Sequence, residues 1–130
     1  MSEPLVVIDG ILQVIERDLE NHKILLERTK LELDSFRQAR SHEIRKKKHY
    51  KSLIGGEKFD DASLRNSMND IAINIRHFSD KCTMAEEKIK HHQKIVDTLT
   101  EQVKDQNWLL AQAELYYQEH PEERPDGSKH

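Results

Sequence analysis

The sequence predicts an all-α protein: a long antiparallel coiled-coil helical hairpin that dimerises into a four-helix bundle. Three observations carry this reading. Glycine occurs at 10, 55, 56 and 127 and proline at 4, 121 and 125, so segments 11–54 and 57–120 contain neither helix breaker. Apolar residues recur along both segments in alternating steps of four and three. Charged residues make up 35% of the chain and aromatic ones 5%, a balance that suits solvated helices with narrow apolar seams rather than a thick core.

The first helix is expected over about 3–53. Ser2, ahead of Glu3 and Pro4, can cap it, because proline is tolerated in an opening turn where its missing N–H would go unpaired anyway. Asp9-Gly10 is the weak point, and Ile11 is the alternative start. The seam runs Ile8, Leu12, Ile15, Leu19, His22, Leu26, Thr29, Leu33 and Phe36. Arg40, Glu43 and Lys47 then occupy positions meant for apolar groups, before Tyr50 and Ile54 restore the pattern. Pairing around Arg40–Lys47 is therefore expected to be loose.

Gly55-Gly56 centres a turn over 54–60. The second helix follows over about 61–118, capped by Asp60 or Asp61 and limited by Pro121. Its seam is the longer one, from Leu64, Met68, Ile71 and Ile75 through Phe78, Cys82, Ala85 and Ile89 to Val96, Leu99, Val103, Leu110, Ala113 and Tyr117, with only His92 and Gln106 breaking it. Residues 1–118 then form a single hairpin domain, and the acidic, proline-containing segment 119–130 is expected to be disordered. Folding at the glycines sets Leu33 opposite Cys82, Phe36 opposite Phe78 and Leu26 opposite Ile89. His22 then faces His92, which makes the pair a candidate polar layer that sets the register. Protonating both imidazoles would place two positive charges in one seam. The alternative is a continuous rod kinked at the glycines and paired only between chains.

Several function classes lose support. Among the eight histidines, His91 and His92 are adjacent and diverge, and His77 lies five residues from Cys82, whereas helical metal pairs need a spacing of three or four. No Glu-x-x-His repeat occurs. No glycine-rich phosphate loop is present, and Cys82, the single cysteine, sits on the apolar seam. No metal, no cofactor, no catalytic residue and no small-molecule substrate are therefore expected. A lone cysteine suits a reducing compartment, Met1-Ser2-Glu3-Pro4 lacks a positive n-region, and no run approaches the ~20 apolar residues that span a bilayer. A cytoplasmic location, nuclear in a eukaryote, and no membrane partner are the expectations.

Two surfaces remain as candidates. Arg37, Arg40, Arg45, Lys46, Lys47, Lys48 and Lys51 share segment 37–51 with one acid, Glu43, in a chain whose net charge is -3. Such clustering is the electrostatic mark of a phosphate-backbone or acidic-protein contact, and a solvated face balanced by other acids is the plainer reading. Asp70 and Asp80 lie opposite in the expected register, too few to neutralise it. Outside the main seam, the first helix carries Leu5, Val7, Ile11 and Val14 and the second Trp108, Leu109, Leu115 and Tyr116. In a hairpin these are neighbours, and a second apolar stripe per helix is what a four-helix bundle requires.

The acids at the turn, Glu57, Asp60 and Asp61, give a tip that resembles in geometry the coiled-coil transcription factors that enter the secondary channel of RNA polymerase. The preferred reading makes Asp60 and Asp61 helix caps. The function expected is that of a non-enzymatic protein–protein interaction module, an adaptor, scaffold or inhibitor, acting as a homodimer on one macromolecular partner. The alternative is a nucleic-acid-associated protein contacting phosphates through 37–51.

Overall fold

A computed structural model describes residues 4–123, with two long helices, α1 (Pro4–Leu53) and α2 (Asp61–Glu119), and a short 3-10 turn, Pro121–Glu123. No strand occurs among the described residues, and the two helices pack against each other as a helical hairpin. The helices begin and end close to the expected bounds. Positions 124–130 of the expected tail lie outside the described residues.

α1 runs through Asp9-Gly10 without a break and does not start at Ile11. Nothing opposes the backbone there: a Cβ built on Gly10 meets no atom within 4 Å. The turn has its own chemistry. Gly55 adopts φ +85°, the left-handed region that glycine enters without steric cost, and its N–H donates to Asp61 Oδ1 at 3.0 Å. The N–H of Gly56 donates back to the Leu53 carbonyl at 3.2 Å. Asp60 is the cap of α2, its carboxylate accepting from the N–H groups of Ala62 and Ser63, at 3.4 Å each, and from the Ser63 hydroxyl at 3.2 Å. Asp60 and Asp61 thus divide the labour, one closing the helix and one closing the turn.

Burial follows the seam. Along α1 the seam positions Leu5, Ile8, Leu12, Ile15, Leu19, His22, Leu26, Thr29, Leu33, Phe36, Arg40, Glu43, Lys47 and Tyr50 are all buried or half-buried, as is Ile54 just after the helix. The chain divides into two compact units, one formed by residues up to Leu25 and from His92 onward, the other by Leu26–His91. Each has its own packed interior. In the first, Leu12 and Val96 are buried. In the second, Leu33, Cys82 and Ala85 form one cluster with Phe36 and Ile89 packed on it, and Leu26, Leu64 and Ile71 are buried as well. Cys82, 2% exposed, acts there as a small apolar group.

The interior is thin. Eight apolar residues are buried among the described residues, against fifteen large apolar side chains left exposed.

Two glycine substitutions test this backbone with opposite signs. Gly10→Ala should raise the unfolding free energy by about 0.5–1 kcal/mol, because helix interior and open space both favour alanine. Gly55→Ala should lower it by about 1–2 kcal/mol, the cost of a left-handed L residue. Urea unfolding followed by circular dichroism reads both.

Candidate functional site

The apolar candidates lie in the unit that contains both chain ends. Val7, Ile11 and Val14 follow one another at steps of four and three, which places them on one face of α1, and they are 43%, 44% and 55% exposed. On α2, Trp108 and Leu115 are seven residues apart, as are Leu109 and Tyr116, and all four are exposed. Leu5 departs from the expected grouping. It is half-buried and stands in phase with Ile8 and Leu12, so it lengthens the seam instead of joining the exposed stripe.

Tyr116 is also engaged by the short turn that follows α2. Its hydroxyl donates to the Glu123 carboxylate, and this hydrogen bond holds the phenol above its ordinary pKa because only the protonated hydroxyl can donate it, with the nearby negative charge adding to the effect. The His120 ring stacks on the Tyr116 ring at 4.4 Å between centroids, and Tyr117 meets it edge-on at 5.3 Å. Held by these neighbours, Tyr116 presents a pre-ordered aromatic surface.

His22 and His92 face each other in this same unit, with ring centroids 5.7 Å apart and planes tilted by 45°. Both are half-buried, and among the described residues His22 Nδ1 has no hydrogen-bond partner. No group of three or more metal-ligating side chains occurs among the described residues.

The basic segment belongs to the turn-bearing unit. Arg37, Arg45, Lys48 and Lys51 are exposed, while Arg40 and Lys47, on the seam line, and Lys46 beside it are half-buried. Arg37 Nη2 donates to Glu86 Oε1 at 3.3 Å, and Lys46 Nζ to Glu43 Oε1 at 3.4 Å. Among the described residues Arg40, Arg45, Lys47, Lys48 and Lys51 make no ion pair, and Asp70 and Asp80 pair with none of the block. Glu86 is the acid that sequence reasoning missed. Gln38 and Ser41 were missed as well, although with Arg37 and Arg45 they line an open groove on α1. The four-residue spacing of Arg37, Ser41 and Arg45 was the signal available for them.

Glu43 is the least expected member. It is 8% exposed, and its Oε2 has no hydrogen-bond partner among the described residues. A buried acceptor without a donor carries a desolvation cost of about 1–3 kcal/mol.

Of the three turn carboxylates, Asp60 caps the helix and Asp61 accepts from the turn, while Glu57 is exposed. No described helix is long and apolar enough to cross a membrane. Compared with models of known protein families, with curated proteins and with solved structures, the chain matches none of them.

Replacing Glu43 with leucine, of similar size, should stabilise the protein by about 1–3 kcal/mol by removing the unmatched oxygen. Differential scanning calorimetry would show this as a higher melting temperature. A lower one would mean that the carboxylate contributes more to the fold than its single lysine contact indicates.

Proposed function

We propose that this protein is a non-enzymatic interaction module that self-associates through the exposed apolar face of the unit holding both chain ends. As a dimer it serves as adaptor, scaffold or inhibitor for another macromolecule. The observation that carries this reading is the grouping of Val7, Ile11, Val14, Trp108, Leu109, Leu115 and Tyr116, all exposed and all in one unit. Single apolar residues on a surface are ordinary, whereas a contiguous group marks an interface.

Helical geometry supports a second copy as the occupant. At ~100° per residue the Val7–Ile11–Val14 stripe sits roughly a third of a turn from the seam of α1, and Leu109 and Tyr116 sit about a quarter-turn from the seam of α2. Because the helices are antiparallel, these two offsets turn toward the same side of the pair. Trp108 and Leu115 continue the surface around α2. One helix pair with an apolar side of this kind matches another of itself across a two-fold axis, which gives four helices around a common interior. Trp108, 62% exposed, is the largest side chain available to anchor it.

The basic segment 37–51 belongs to the other unit and does not enter this reading.

Sedimentation equilibrium of the full chain at ~50 μM should give twice the 15.3 kDa chain mass. Trp108→Glu should return it to the monomer mass with helical circular dichroism preserved, since the residue stands outside the seam. The chain has one tryptophan, so its emission should shift to the red on dilution as the dimer parts. A wild-type chain that stays monomeric at this concentration would reject the proposal.

A further inference from the structure

A second surface is built into the turn-bearing unit. Arg37, Ser41 and Arg45 recur at every fourth residue of α1, so they stand in a line along one flank, about 6 Å apart. They line one open groove with Gln38, and all four are exposed. Lys48, three residues further on and exposed, continues the line. Each member is a hydrogen-bond donor, and three carry a fixed positive charge.

Two of the three charges of this row have no ion-pair partner among the described residues. Arg45 and Lys48 make no ion pair among the described residues, and Arg37 holds only Glu86, in a contact whose two side chains are 50% and 49% exposed and therefore weak. The one acid within the segment, Glu43, is turned into the seam and buried, so it does not offset the flank. Burying Glu43 has a cost, as its unpartnered Oε2 shows, and it leaves segment 37–51 without an exposed acid of its own.

We infer that this row binds the phosphate backbone of a single-stranded nucleic acid. Guanidinium forks grip phosphate oxygens with two parallel hydrogen bonds, so Arg37 and Arg45 take phosphates about two helical turns apart, and Ser41 and Gln38 donate to the phosphate between them. Arg37, Ser41 and Arg45 form one slanting row on a single helix with Gln38 on its flank, which suits one file of phosphates, whereas a duplex presents two files across a groove. A protein partner would need an apolar anchor at the centre of the patch. The row has none, and Ile44 at its inner edge, 38% exposed, is too small a patch to supply one. This surface lies in a different unit from the apolar face, so the inference stands apart from self-association.

The test is fluorescence anisotropy of the full-length protein with a labelled ~20-nucleotide oligothymidylate and with a duplex of equal length, at ~50 and ~200 mM salt. Micromolar or tighter binding of the single strand, weakening steeply with salt and exceeding duplex binding, is the expected result. Arg45→Ala should weaken it several-fold and reduce the salt slope by about one contact, while Lys94→Ala, in the other unit, should leave it unchanged. Glu86→Gln frees Arg37 and removes a carboxylate from the path of the phosphates, so it should tighten binding at least about twofold, or ~0.4 kcal/mol. Four outcomes would overturn the inference: no binding at the lower salt, equal or better binding of the duplex, equal losses in Arg45→Ala and Lys94→Ala, or competition by oligoglutamate as strong as that by unlabelled single strand. Trp108→Glu measured in parallel tells whether any loss follows from failed self-association instead.

Discussion

Everything in this molecule depends on a single line of side chains on each helix, spaced three and four residues apart, that is withdrawn from water where α1 and α2 pack. Two helices share only one contact face. The wall of each helix is otherwise wet, so the interior reduces to Leu12, Leu26, Leu33, Leu64, Ile71, Cys82, Ala85 and Val96 with half-buried neighbours. Backbone ordering is a cost on every residue, while hydrophobic gain comes only from the residues on the seam. Apolar side chains also remain outside it: Val7, Ile11, Val14, Leu109 and Tyr116, all in one unit, are exposed.

The same narrowness explains why polar seam members matter. Thr29 and Glu43 are buried, and the imidazoles of His22 and His92 meet inside the seam. In a wide core such groups would be a minor share of the contacts. In a seam one side chain deep, each is a whole layer, and a shift of register by one turn would set it against an apolar neighbour. Glu43 also separates charge: the acid goes inward, and Arg37, Arg45 and Lys48 stay outward. One stretch of helix thereby serves the fold on one side and presents cations on another.

Much of this was legible in the sequence. The absence of glycine and proline bounded both helices, and the α2 seam from Leu64 to Tyr117 appeared as a run of residues that the structure protects from solvent. The fading of the α1 seam at Arg40, Glu43 and Lys47 was legible too, but its consequence was not. The helix does not depart from the pattern there: long side chains lie along the seam line, and Glu43 is buried outright. Leu5 is half-buried in phase with Ile8 and Leu12, whereas Val7, Ile11 and Val14 are exposed, a difference in burial that the sequence did not show. Glu86 was not foreseen as the partner of Arg37, because the facing acids were sought directly across the register at Asp70 and Asp80, whereas an arginine reaches a neighbour along the partner helix.

By itself, then, the sequence determined which residues are helical, where the chain turns and which face of each helix is apolar, since periodicity and helix breakers are properties of the chain read in one dimension. Only the tertiary structure decided that Asp60 caps α2 while Asp61 holds the N–H of Gly55, that Glu43 is buried with an unmatched oxygen, and that Arg37 is drawn to Glu86. The reason is reach. Polar and charged side chains are long and flexible and choose partners by distance in space, which helical spacing alone does not specify.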